Sequence, residues 1–157
     1  MSTLSELTIN ILYNPVKYIH NHYLSTLHSN SASLSDELLN SWIISYFKLS
    51  HLPTFPPEDE MTKLIILSWK HLPLASIFIG AYLCRKDLLF NSSLLVSQPA
   101  LLKFISLPIL HQKTHIQVKE ISLSFFLQLG LEFLFKVCID LPKGLQQRMQ
   151  LLHPLNH

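Results

Sequence analysis

Prolines at positions 15, 53, 56, 57, 73, 99, 108, 142 and 154 cut this chain of 157 residues into apolar stretches of helical length. Proline fixes φ and lacks the N–H that a helix interior needs, so each one opens or ends a helix. Only three glycines accompany them. Many Leu, Ile and Phe with so few turn-forming glycines read as helices separated by prolines, not as a sandwich of short strands. With 48% apolar and 14% charged residues, the chain has to bury a large core or keep apolar surface for a partner or a lipid. Such a composition argues against disorder as a global state. The expectation is an all-α fold. It is a single compact domain of several Pro-separated helices around a central apolar helix, about 73–84, and a long helix, about 115–140.

Local signals place the elements. Thr3 with Glu6 spells a capping box for an opening helix whose apolar residues are Leu4, Leu7, Ile11 and Leu12. Asn14-Pro15 reads as a cap followed by proline at the first position of a two-turn helix, "PVKYIHNHYL". After the polar linker "HSNSAS", a helix over about 34–49 carries Leu38, Leu39, Trp42, Ile43, Tyr46 and Phe47 on one broad face. "HLPTFPP" ends it. "EDE" at 58–60 then starts a helix lined by Met61, Leu64, Ile65, Trp69 and Leu72. Pro99 leads "PALLKFISL", Thr114 and Gln117 form a second capping box, and "KGLQQRMQLL" follows Pro142 as a last helix.

Two segments raise the question of a membrane. In "SWKHLPLASIFIGAYLCRKDLL" the uncharged run from Leu72 to Cys84 is thirteen residues, against about 20 for a span. Its residues are apolar nearly all round, as in a buried helix. Ser76, Gly80 and Cys84 at i, i+4 and i+8 make a smooth strip that predicts a closely packed neighbour. The stretch 121–139 is long enough to span. However, Ser124, Gln128, Glu132, Lys136 and Asp140 recur every four residues as one polar stripe, with Glu132 and Lys136 spaced for a surface ion pair. That arrangement predicts a core helix with one wet edge and no direct membrane span. The start of the sequence does not read as a secretory signal, and the two cysteines read as buried reduced thiols, which together point to the cytoplasm.

Nothing in the pattern spells a reaction. "HExxH", "GxxxxGK", "GxSxG" and "GxGxxG" are absent from the sequence, and no cysteine pair stands at metal-ligand spacing. His20-x-His22 and His111-x-x-x-His115 are the tightest histidine pairs and read as surface residues. Twelve basic residues are scattered without a run, so a nucleic-acid partner has no electrostatic basis. The expectation is a non-enzymatic binding part without catalytic residues, metal or cofactor. A secretion chaperone and a membrane-associated helical protein are the rival readings.

Three stretches together resemble the SctK family of type III secretion systems, whose members include OrgA and MxiK. "ILYNPVKYIHNHYL" (11–24) is similar to the family's aromatic-Asp/Asn-Pro turn followed by Tyr-Ile. "MTKLIILSWKHLPLASIFIGAYLCRKDLL" (61–89) resembles its Trp, basic pair, Leu-Pro, apolar helix with Gly, then basic-acidic-Leu. "LPKGLQQRMQLLHP" (141–154) is similar to a Leu-Pro…Leu-x-Gln-Arg…Leu-Leu segment, after which OrgA-like members continue with further helix. The resemblance implies a helical adaptor of the sorting platform, at the cytoplasmic face of the inner membrane with the injectisome. It implies an SctD-like ring protein and an SctQ-like pod protein as direct partners, and the SctL stator and SctN ATPase as indirect ones. Candidate partner-contact residues are Asn14, Pro15 and Tyr18 as a docking turn, with His20, His22 and Tyr23 as exposed rings. Lys70, His71, Arg85 and Lys86 are the basic residues flanking the central helix. Trp69, Leu72 and Pro73 read as core and helix start.

Overall fold

The computed structural model describes residues 3–27, 34–90, 92–109 and 121–153. Among them it holds ten α-helices, two 3-10 turns and no strand, so the fold is all-α. The helices are α1 (Leu4–Tyr13), α2 (Asn21–Leu27), α3 (Asp36–Tyr46), α4 (Glu60–Leu67), α5 (Leu72–Leu83), α6 (Arg85–Leu88), α7 (Ser92–Ser97), α8 (Pro99–Ile105), α9 (Leu123–Val137) and α10 (Lys143–Gln150). The chain gathers into two compact units, Met1–Lys70 with Cys138–His157, and His71–Val137.

In the first unit, α1 begins with the reciprocal capping box that its sequence spells. The Thr3 N–H donates to Glu6 Oε2 at 2.9 Å, and the Glu6 N–H donates to Thr3 Oγ1 at 3.2 Å. The two-turn helix expected from Pro15 does not form. Residues Pro15–Lys17 make one 3-10 turn, and α2 starts only at Asn21. The cause is Asn40 of α3, which is 6% exposed. Its Oδ1 accepts the Val16 N–H at 2.9 Å and its Nδ2 donates to Asn14 Oδ1 at 3.2 Å. Asn14 is therefore engaged sideways and does not cap.

The buried faces of α3 and α4 are narrower than the sequence pattern. Ser35 caps α3; Leu39, Asn40 and Ile43 point inward, while Leu38, Trp42 and Tyr46 are exposed. Asp59 caps α4 by accepting the Thr62 N–H at 2.7 Å, which puts an acid where the helix dipole favours it. Thr62, Ile65, Ile66 and Trp69, spaced i, i+3, i+4 and i+7, are the inner face; Met61 and Leu64, expected there, face out. The core around Ile19, Tyr23, Ile43, Leu49 and Leu151 ties the segments after α1, α3 and α10 together.

Arg148 organises this unit. Its side chain is 1% exposed, yet it meets no carboxylate among the described residues. Nη1 donates to the carbonyls of Ser50 (2.7 Å) and Gly144 (2.8 Å), and Nη2 donates to that of Leu12 (2.9 Å). The last carbonyls of a helix lack intrahelical donors and carry partial negative charge. At the end of α1 they are satisfied in turn: Asn10 by the Asn14 N–H, Ile11 by the Tyr18 hydroxyl at 2.7 Å, and Leu12 by Arg148. Gln147, one residue earlier on α10, accepts the Ser50 N–H at 2.7 Å and donates to the Lys48 carbonyl at 3.2 Å. Gly144 completes the grip, because a Cβ there would lie 2.5 Å from the Ser50 oxygen.

In the second unit, α5 and α9 cross at two glycines. A Cβ on Gly80 would collide with the Phe126 carbonyl, and one on Gly130 with the Ser76 carbonyl. Each helix thus presses its backbone against the other's glycine, which accounts for the predicted smooth strip on α5. Ser76 turns its hydroxyl back to the Leu72 carbonyl at 2.7 Å, so the crossing buries no unpaired hydroxyl. Ala81, Cys84, Leu88, Leu95, Leu101, Ile105 and Phe126 form the core. Phe78 of α5 stacks on Phe104 of α8 with centroids 5.3 Å apart.

The long helix differs from its expected bounds. Ile121 and Ser122 are not helical, and Ser122 Oγ accepts the Phe125 N–H at 3.2 Å, which caps a helix that starts at Leu123. The expected start at 115 and the Thr114–Gln117 capping box lie outside the described residues. The polar stripe does face water: Ser124, Glu132 and Lys136 are exposed. Among the described residues, however, Glu132 bonds Gln128 at 3.1 Å and makes no ion pair with Lys136. No single described helix is long and apolar enough to cross a membrane; α4 and α5 reach that length only when counted together across their break.

Candidate partner-contact surfaces

The residues singled out near the N-terminus do not form one surface. Pro15 is buried, and Tyr18 lies half-buried with its ring edge-on to Trp69 at 5.3 Å. Burial pushes the Tyr18 phenol above the usual tyrosine range, opposed by the Arg148 guanidinium. Burial likewise pulls Arg148 below the usual arginine range, opposed by Tyr18. Asn14, Pro15 and Tyr18 are thus a joint between α1, α3 and α10. Tyr23, expected as an exposed ring, is 4% exposed; its hydroxyl donates to the Gln150 carbonyl at 3.3 Å and its ring meets Phe47 edge-on. The seven-residue α2 places Tyr23 on its inner side, which spacing around a turn of unknown geometry does not reveal.

His20 and His22 are half-buried beside it. The His20 N–H donates to the Leu151 carbonyl at 2.7 Å, and its Nδ1 accepts the His22 N–H at 3.1 Å. Burial lowers the His20 pKa from its ordinary 6.5, with His22 and His153 acting in the same direction. The two histidines are thus joined in one hydrogen-bonded turn. Among the described residues no group of three His, Cys, Asp or Glu side chains is placed to hold a metal; the His111–His115 pair lies outside them.

Lys70 and His71 are exposed. Arg85 and Lys86 stand together at the start of α6. The Arg85 guanidinium lies 4.3 Å from the Tyr82 ring centroid, and its Nη1 donates to the Tyr82 carbonyl at 3.0 Å. Beside them opens a groove of about 500 Å³, lined by Tyr82, Arg85, Lys86 and Leu89 on one side and by residues 105–109 on the other. The fold thus sets this pair of sequence-derived candidates at a concave, accessible site.

Two exposed apolar features went unassigned in the sequence. Leu38, Trp42 and Tyr46 run along the outside of α3 at i, i+4 and i+8, with the two rings 5.3 Å apart. Their spacing is visible in the sequence, but it overlaps that of the buried Leu39 and Ile43, so periodicity alone does not separate the two faces. A hollow of about 350 Å³ in the first unit is lined by Ile9, Leu12, Tyr13, His51, Leu52 and Phe55. Both cysteines are buried and free, and burial pushes the Cys84 thiol up to about 11 and Cys138 upward as well. Neither is a thiolate at neutral pH.

A family model for a bacterial type III secretion apparatus protein (OrgA_MxiK) matches residues 8–156. No curated protein and no solved structure gives a significant match.

Proposed function

The chain belongs to the OrgA_MxiK family of bacterial type III secretion apparatus proteins, and from that premise we propose that it is a non-enzymatic adaptor of the sorting platform. In this reading it joins the cytoplasmic domain of an SctD-like inner-membrane ring protein to an SctQ-like pod protein. Through the pod it connects to the SctL stator and the SctN ATPase. It works at the cytoplasmic face of the inner membrane with the injectisome.

The match over residues 8–156 carries this reading. Two features of the molecule support it. Exposed apolar rings such as Trp42 and Tyr46 offer contact surface of the kind that protein interfaces use. The thiols are held protonated, as suits packing and not nucleophilic chemistry. The test is co-expression of the whole chain with SctQ-like and SctD-like proteins from the same injectisome, followed by capture on a tag carried by the chain. Both partners are expected to co-purify through a high-dilution wash. If neither does, the adaptor reading fails.

A further inference from the structure

The groove beside Arg85 and Lys86 combines charge, shape and apolar surface. Both cations line it, no acidic side chain among the described residues does, and Asp87, the nearest acid in sequence, lies outside the lining. Among the described residues neither Arg85 nor Lys86 forms an ion pair. None of the described lining residues therefore neutralises the positive charge. Arg85 is also held in place. Its guanidinium is stacked on Tyr82 and tied to the Tyr82 carbonyl, so a ligand need not freeze a free arginine side chain. Most of the remaining lining is apolar, with Ser106 as an added polar group, and part of it is open to water: Leu89 is 63% exposed, and Leu107 and Ile109 are half-exposed. A hollow of about 500 Å³ takes a few side chains, not a folded domain.

We propose that this groove receives an acidic, amphipathic segment of a partner protein. One of its carboxylates sits against Arg85 and Lys86, and its aliphatic or aromatic side chains lie against Leu89 and residues 105–109. Guanidinium and carboxylate make charge-assisted hydrogen bonds, and the apolar wall beside them supplies the burial that an isolated surface ion pair lacks. An anionic membrane fits less well. Lipid surfaces are held by clusters of about four to eight basic residues on an open face, and two cations in a recess do not make one. A duplex or single strand of nucleic acid needs a longer basic track. The assignment rests on the adaptor reading only for the expectation that a partner protein exists. The chemistry of the groove stands without it.

The test selects random 12-residue peptides displayed on phage against the whole chain, with the Lys86→Glu variant as counter-target. Lys86 is exposed, so this variant keeps the helical spectrum and melting point of the parent. Enriched peptides are expected to place Asp or Glu beside Leu, Ile or Phe. As synthetic peptides they should bind the parent at least tenfold more tightly than Lys86→Glu, and Leu89→Gln should weaken them as well. Arg85→Glu adds a second charge reversal if its melting point is unchanged. Failure to enrich any sequence overturns the proposal. So does enrichment without acidic residues, or equal binding to parent and Lys86→Glu. Sedimentation with phosphatidylglycerol vesicles, abolished by Lys86→Glu while acidic peptides are ignored, assigns the face to lipid and overturns it too. None of these outcomes touches co-purification with the SctQ-like and SctD-like proteins, so the two readings fail independently.

Discussion

At the scale of single residues, the first unit depends on groups that reach far along the chain. Arg148 gives three donors to the carbonyls of Leu12, Ser50 and Gly144, in a site closed to water. Arg148→Met keeps most of the volume but leaves the Leu12 and Ser50 oxygens without that donor. The expected loss is about 3 kcal/mol of unfolding free energy, read by urea denaturation. An unchanged midpoint would show that the guanidinium is dispensable. His20 adds a pH dependence. Its pKa is lower in the folded chain than its ordinary 6.5, so below that value the unfolded chain binds more protons. Stability should hold above about pH 6.5 and decline as pH falls through the window beneath it. Protonated Nδ1 becomes a donor and can no longer accept the His22 N–H. Melting curves from pH 7.5 to 5 should show the decline, and His20→Gln should flatten part of it.

At the scale of elements, the crossing of α5 and α9 sets the most stringent demand. Gly80→Ala or Gly130→Ala puts a methyl where a neighbouring carbonyl stands, and both sites are backbone, so no side chain can swing aside. The helices must separate, at an expected cost of about 3 kcal/mol each, measured by chemical denaturation. A cost near that of an exposed helical Gly→Ala change, which is stabilising, would mean that the helices do not approach so closely. This crossing was readable in the sequence, since Ser76, Gly80 and Cys84 fall at helical spacing within an uncharged run. So were the Thr3–Glu6 box and the breaks at Pro53 to Pro57 and at Pro142, because caps and prolines act within a few residues. The clamp of Asn40 on the turn at Pro15 was not. It joins residues 24 and 26 positions apart, and nothing local to Asn14 distinguishes a cap from a sideways bond. The Arg85–Lys86 site was legible as a charged exit from α5, but its concavity depends on residues 105–109 coming alongside.

At the scale of the whole molecule, the question is where 48% apolar residues go in a chain of 157. Each unit has its own buried cluster, yet large apolar side chains remain outside both. Periodicity shows that α3 has apolar residues on a helical face; it does not show how far that face is covered. The structure divides it: Ile43 is fully buried, whereas Trp42 is 41% and Tyr46 62% exposed. The two halves should therefore respond differently to substitution. Ile43→Ala opens a cavity and is expected to cost about 3 kcal/mol in urea denaturation. Trp42→Ser with Tyr46→Ser removes two exposed rings that lie against each other, with Tyr46 also edge-on to Phe47 at 5.0 Å, and should cost about 1 kcal/mol or less. The same double variant should stay monomeric to several-fold higher concentration by light scattering, since contiguous exposed apolar surface promotes association. Should the double variant unfold as readily as Ile43→Ala, the outer half of α3 belongs to the core and the surplus of apolar surface is smaller than the structure implies.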